Sequence, residues 1–329
     1  MPVPGELLTL VPVGAVALYT LVTAASRAID RLLALAEYYD IDEVVVGMTI
    51  LAIGTSLPEI SAHLVASLGM LSGVLDYRAT SAVVIGGNMG SSTVQQFFLV
   101  GVLLIGYGSV TPTKKFLKES YVPMLAVFGV TILLAWDGQI SRLDGGLLLA
   151  LYLCYLGITI ARWDRTQQLR EPASANPRRD AIVAVGLLLL VLLAASLVLT
   201  VIESIVEILA FGGSMIGIVT LGVAGALPEV TAVLEAIRRR SPAIALGTLI
   251  GTNIVNPLIG IGLGGAISTY YVPPAVVLWD LPYKLVIGLA FLGWMLVVRD
   301  GELSRTEGVY LMGAYFAFVV GRLLLFPGQ

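Results

Sequence analysis

"LAIGTSLPEI", residues 51–60, sets a glycine, two hydroxyls, a proline and a carboxylate in the middle of an apolar run. Proline inside a helix removes one hydrogen bond and crowds the preceding turn, at a cost of about 3 kcal/mol or more. Gly54 loosens the same turn. The stretch therefore predicts a helix broken near residues 54–58, with Pro58 starting a second half-helix and backbone carbonyls freed around Ala52 to Ser56. A charge at the centre of a bilayer costs about 2.5–3.5 kcal/mol on insertion scales. Glu59 then needs a cation, a proton or a partner.

The surroundings of this stretch make a bilayer the relevant solvent. The chain has 329 residues, of which 57% are hydrophobic and 12% charged, with a mean hydropathy of +0.94. Soluble domains carry about 25% charged residues, so most of this chain faces something other than water. About 20 apolar residues cross a bilayer as a helix. On that measure there are ten segments, at about 6–34, 42–71, 80–107, 119–136, 143–162, 180–209, 214–237, 243–267, 279–298 and 307–326. The fold class expected is an all-α polytopic membrane protein in a cell membrane. The N-terminus lacks a basic region before its first apolar run, so no cleavable signal peptide is expected. The single cysteine, Cys154, forms no intrachain disulfide.

The one long hydrophilic stretch, "RWDRTQQLREPASANPRRD" at 162–180, divides the segments into two sets of five. Cytoplasmic loops are enriched in Lys and Arg. Lys114, Lys115, Lys118, Arg162, Arg165, Arg170, Arg178, Arg179, Arg238, Arg239, Arg240, Arg299 and Arg305 all follow odd-numbered segments. Those loops are read as cytoplasmic and both termini as extracellular. Five segments per half means that the halves, 1–162 and 180–329 with a 163–179 linker, enter the membrane in opposite directions.

The halves also resemble each other. "VVVGMTILAIGTSLPEI" (44–60) aligns with "SMIGIVTLGVAGALPEV" (214–230) at an offset of 170, and "GSSTVQQFFLVG" (90–101) with "GTNIVNPLIGIG" (251–262) at an offset of 161. Leu57-Pro58-Glu59 thus has a twin in Leu227-Pro228-Glu229, which predicts a second broken helix, the seventh. Inverted repeats with broken helices at the midplane are the build of secondary transporters. A twofold relation brings Glu59 and Glu229 together. Carboxylates and carbonyls are hard oxygen ligands of the kind Ca²⁺ takes, and the absence of a thiol cluster disfavours a softer metal. The plain alternative for one such glutamate is that it is protonated or tied to a neighbour to hold helices. Two in matching Pro-Glu contexts are harder to explain that way.

These paired motifs resemble the alpha repeats of the calcium/cation antiporter superfamily, which includes the sodium/calcium exchangers. The resemblance covers nearly the whole chain, and Gly54-Thr55-Ser56-Leu57-Pro58-Glu59 is its most specific part. It implies an antiporter, not an enzyme, whose cargo is Ca²⁺ exchanged for Na⁺ or H⁺, with no resident cofactor. It further implies that Glu59 and Glu229 are the central ligands, with the Thr55 carbonyl and the Gly225 backbone completing the Ca²⁺ shell. Ser56, Ser91 and Thr252 would serve Na⁺ in sodium-driven members. Gln95 and Asn256 hold the polar position one turn further on. The second repeat departs from the pattern, with Gly225-Ala226 where Thr-Ser would stand, so two hydroxyls are missing. Ca²⁺-for-Na⁺ exchange is the first reading, and proton-coupled exchange of Ca²⁺ or another divalent ion is the alternative.

The remaining polar residues have simpler readings. His63, one turn after Glu59, is either a proton partner for it or a hydrogen-bonded link between helices, the second being favoured. Glu203 and Glu207 either attract cations at an entrance or snorkel to water. Arg27, Asp30 and Arg31 are expected to pair locally, and Arg238–Arg240 to anchor on anionic lipid. Gly86, Gly87, Gly90, Gly247 and Gly251 are spaced for close helix contact. No GxxxxGK[ST] loop is present, so no nucleotide partner is expected, and nothing points to nucleic acid. The partners are the lipid bilayer and inorganic cations, and a monomer is the expected state.

Overall fold

Two helices that interrupt themselves at the same place organise the structure, a computed structural model that describes residues 4–39, 52–161, 176–209, 222–240, 242–299 and 301–327. In chain order, α1 is Pro4–Tyr38, and α2 runs as Ala52–Thr55 and Leu57–Leu71. Helix α3 is Tyr77–Tyr107, α4 is Lys114–Leu134 and α5 is Arg142–Ala161. Helix α6 is Pro177–Leu209, and α7 runs as Gly222–Gly225 and Leu227–Arg239. Helix α8 is made of Pro242–Val255, Asn256–Ile261 and Gly262–Ser268. Helix α9 is Val276–Val297 and α10 is Arg305–Leu325. Residues 42–51 and 214–221 of the second and seventh expected segments, and 162–175 of the linker, lie outside the described residues.

Among the described residues, seven helices are long and apolar enough to cross a membrane. Their outward faces carry large side chains in the open, such as Leu133, Leu143, Val297 and Leu324. Apolar surface of that extent marks contact with lipid. The spans of α3 and α8 are 78% and 89% buried, against 17% for α5 and 22% for α10. The two Gly-rich helices are therefore the centre of the molecule.

The breaks in α2 and α7 match residue for residue. Ser56 (φ −81°, ψ 0°) and Ala226 (φ −77°, ψ −3°) share a ψ near 0°, at the edge of the helical region, just before the Leu-Pro pair. The break is narrower than the sequence predicts. Ser56 N–H donates to the Ala52 carbonyl at 3.1 Å and Ile60 N–H to the Ser56 carbonyl at 2.9 Å, so those two carbonyls are engaged. Ala226 and Val230 repeat the pattern on Gly222 and Ala226. What Pro58 and Pro228 withhold is the amide that the carbonyls of Gly54 and Ala224 would receive.

Other boundaries move by a few residues because capping side chains fix them. Asp76 accepts from Ala79 N–H at 2.7 Å and starts α3. Thr113 accepts from Phe116 N–H at 3.0 Å, so α4 begins at Lys114. Lys114, Lys115 and Lys118 are thus helical rather than in a loop. Arg31 reaches beyond its own helix and bonds Asp180 of α6 at 2.8 Å. Leu21 and Ala24 of α1 pack with Val191 and Ala194 of α6 in a small cluster of their own.

Short ribbons cross-link the ends. Strand β1 (Ser109–Val110), after α3, pairs with β4 (Leu303–Ser304), before α10. Strand β2 (Gln139–Ile140), before α5, pairs with β3 (Tyr270–Tyr271), after α8. Helix packing crosses in the same way. A Cβ on Gly145 of α5 would stand 2.6 Å from the Gly262 carbonyl of α8, and one on Gly308 of α10 would stand 2.8 Å from the Gly101 carbonyl of α3. Each contact excludes any side chain at the glycine.

Candidate cation site

The breaks of α2 and α7 deliver both glutamates to the buried middle of α3 and α8. Ala52–Thr55 packs on α8 and Gly222–Gly225 on α3. The second approach is close: a Cβ on Gly222 would lie 2.7 Å from the Gly90 backbone. Thr55, Ser56, Glu59, Ser91, Gln95, Glu229, Thr252 and Asn256 are all buried.

Several of the residues singled out in the sequence meet. Ser91 Oγ donates to Glu59 Oε1 at 2.6 Å, and Gln95 Nε2 donates to Ser91 Oγ at 3.0 Å. Glu229 lies near enough to Glu59 to feel its charge, beside the Thr55 side chain. Gly225 is packed directly on Glu59: a Cβ there would stand 2.8 Å from Oε1. A side chain at 225 would displace the Glu59 carboxylate, which gives the departure from the first repeat a steric reason.

Ser56 and Gln95 make no direct bond to the carboxylates, Gln95 reaching Glu59 only through Ser91, and Thr252 and Asn256 make none either. Thr252 Oγ1 donates to its own helix, at 3.0 Å from the carbonyls of Thr248 and Leu249. The Asn256 side chain bonds nothing among the described residues, although its carbonyl accepts from Asn88 Nδ2 at 2.9 Å. Both central helices widen into a π turn here, Val94–Leu99 in α3 and Asn256–Ile261 in α8. Such turns are rare and concentrate at functional sites.

The polar inventory is incomplete without an outside partner. Among the described residues, Ser56 Oγ, Glu59 Oε2, both Glu229 oxygens, Asn253 Oδ1 and both polar atoms of the Asn256 amide are buried with no hydrogen-bond partner. Leaving a buried polar atom unpaired costs about 1–3 kcal/mol, more if charged. Seven such atoms in one region form an oxygen-rich donor set carrying two carboxylates. A hard divalent cation, or monovalent cations in its place, fits that chemistry. Among the described residues no group of three or more His, Cys, Asp or Glu is present, so Glu59 and Glu229 set the charge.

His63 is a link between helices, not a neighbour of the carboxylates. Asn88 Nδ2 lies 3.1 Å from its Nε2, and its Nδ1 lies 3.1 Å from the Tyr270 hydroxyl. That hydroxyl donates to the His63 carbonyl at 3.0 Å. The side chains of Glu203 and Glu207 lie outside the described residues. Two site residues escaped the sequence reading. Asn253 reaches the Gln95 amide oxygen at 3.4 Å, and Ser92 holds Lys284. Their signal was available: Ser92 and Asn253 are themselves a pair at the 161-residue offset.

The sequence profile of the family described as "Sodium/calcium exchanger protein" matches residues 10–161 and 181–324. The chain is 26% identical over 325 residues to inner membrane protein YrbG of Escherichia coli, covering 95% of this chain and 96% of that one. It is equally 26% identical over 328 residues to the sodium/calcium exchanger MaX1 of Methanosarcina acetivorans, covering 87% and 90%. Its fold is similar to that of the sodium-calcium exchanger NCX_Mj, with a TM-score of 0.73 at 20% identity over 95% of this chain and 99% of that one.

Proposed function

The chain belongs to the sodium/calcium exchanger protein family, a family of multi-pass membrane transporters rather than enzymes, and from that premise we propose that it exchanges Ca²⁺ for Na⁺ across the cell membrane. The observation that carries the reading is the set of buried, unpartnered oxygens around Glu59 and Glu229. Ca²⁺ takes six to eight oxygens, and two carboxylates cancel its charge. Glu59 and Glu229 bind from opposite sides. The Thr55 and Gly225 backbone, Ser56, Ser91, Gln95, Thr252 and Asn256 complete the shells of Ca²⁺ or of its competitor.

The architecture proposed is ten spans in two inverted halves, 1–162 and 180–329, joined by a cytoplasmic 163–179 linker, with both termini outside. The matched breaks at Ser56 and Ala226, the crossed ribbons and the crossed glycine contacts support it. Such halves rock about a site fixed at their interface. Crossing with the site bare would leave two carboxylates uncompensated in low dielectric, which is strongly disfavoured. Only a loaded site crosses, and that restriction is the coupling.

The alternative is proton-coupled exchange of Ca²⁺ or another divalent ion. It is favoured by the missing hydroxyls at Gly225-Ala226 and by the Thr252 hydroxyl, already bonded to its own helix. Ca²⁺ flux into proteoliposomes under imposed Na⁺, K⁺ or H⁺ gradients tests both. Flux that follows Na⁺ supports the first reading, and flux that follows pH while ignoring Na⁺ selects the second. Flux independent of every gradient, or full activity in Glu59→Gln, overturns antiport at this site.

A further inference from the structure

Five carboxylates are buried among the described residues: Glu59, Asp180, Glu229, Asp280 and Glu307. Three have a fixed cation. Asp180 bonds Arg31 at 2.8 Å, Glu307 bonds Arg299 at 2.9 Å, and Asp280 bonds Arg322 at 3.0 Å. Glu59 and Glu229 remain, and so does one buried cation, Lys284, which is 0% exposed. An amine at that depth has a task or a heavy cost.

Lys284 is held from three directions. Its Nζ donates to Ser92 Oγ and sits 4.2 Å from the centre of the Phe128 ring, a distance suited to cation–π attraction. Asp280, one turn earlier on α9, is paired with Arg322, and the Gln96 amide reaches the Lys284 backbone. Ser92 follows Ser91, the residue whose hydroxyl bonds Glu59. Behind the same wall, Gln96 Nε2 donates to the Lys284 carbonyl at 3.1 Å. The α3 segment therefore presents Ser91 and Gln95 to the cation site and Ser92 and Gln96 to the lysine.

The charge is also one-sided. The π turns near the starts of α4 and α9, Leu117–Tyr121 and Val276–Asp280, begin 159 residues apart. At that offset Pro123 matches Pro282, and Lys284 falls opposite Leu125.

We infer that Lys284 is a specificity-determining residue: a tethered cation behind the Ser91–Ser92 wall that offsets part of the Glu59/Glu229 charge and so weakens Ca²⁺ binding. The inference rests on the antiport reading. An ammonium behind two carboxylates offsets part of the charge that attracts Ca²⁺, so the ion is held less tightly than by the carboxylates alone.

The test is Ca²⁺ uptake by proteoliposomes holding wild type, Lys284→Met or Lys284→Gln, with KM and maximal rate measured separately. Both variants leave the Asp280–Arg322 pair intact, and Gln retains a donor for Ser92. If one fails to purify as a folded protein, the other carries the same expectation. Removal of the charge lowers KM for Ca²⁺ by about three- to tenfold. A merely structural lysine lowers melting temperature and maximal rate while KM stays or rises, and that result overturns the inference. Wild-type protein without gradient-driven uptake refutes the antiport reading instead. Wild-type uptake with KM unmoved in the folded variants refutes the role of Lys284 alone.

Discussion

The Glu59 carboxylate rests on the bare α-carbon of Gly225, where a Cβ would come within 2.8 Å of Oε1. The contact joins the broken turn of α7 to the carboxylate carried by α2. Glu59 is also bonded to Ser91, so a displaced carboxylate gives up that bond. Gly225→Ala is expected to fold, because the displaced atom is the end of a flexible side chain, and to raise KM for Ca²⁺ by about tenfold. That corresponds to about 1.4 kcal/mol of binding. Uptake assays beside thermal melts separate the two effects.

The two glutamates predict a ligand dependence of stability. A ligand at 100 times its Kd stabilises a protein by about 2.7 kcal/mol. Wild-type protein in detergent is expected to melt several degrees higher with saturating Ca²⁺ than with a chelator. Glu59→Gln and Glu229→Gln should abolish both that increment and gradient-driven uptake. Without Ca²⁺ each variant should melt at or above wild type, since it removes one of two like charges held together in the buried site. A retained Ca²⁺ increment in either variant contradicts the assignment.

Much of this site was legible in the sequence because the chain states it twice. Pro58 and Pro228 mark breaks by chemistry no helix tolerates silently, and the offset of 170 pairs Glu59 with Glu229 without structural help. What stayed hidden depends on contacts between distant residues. The steric reason for Gly225 needs the position of Glu59. Arg31 was assigned to its own helix because spacing along one helix is all a sequence displays, whereas its partner Asp180 is 149 residues away. Nothing in the spacing around Lys284 points to Ser92, 192 residues away in the chain. The glycines of "SRLDG" (141–145) and "SRTEG" (304–308) acquire meaning only against α8 and α3.

Tyr270 is predicted to matter for stability and not for ion coupling. Its hydroxyl serves His63 Nδ1, the His63 carbonyl and Ser67 Oγ, the last at 2.9 Å. Tyr270→Phe leaves these groups short of a partner, at a cost of about 1–3 kcal/mol. The melting temperature should fall, while the pH profile of Ca²⁺ uptake keeps its shape. A profile that moves with Tyr270→Phe would return His63 to the transport mechanism.

The crossed glycines predict matched lesions in the two halves. Gly145 faces the Gly262 carbonyl at 2.6 Å from a would-be Cβ, and Gly308 faces the Gly101 carbonyl at 2.8 Å. The opposing atoms are backbone, which cannot swing aside as the Glu59 carboxylate does. Overpacking of this kind costs about 1–3 kcal/mol. Gly145→Ala and Gly308→Ala should each lower the melting temperature, Gly145→Ala the more, since its Cβ would also come closer still to the Ala266 nitrogen. Gly146→Ala, with nothing within 4 Å of its Cβ, should leave it unchanged. The two contacts bind α5 to α8 and α10 to α3, and neither includes Glu59 or Glu229. Their loss should therefore reduce the amount of folded transporter without shifting KM for Ca²⁺. A KM shift equal in both variants would mean instead that these contacts move during transport.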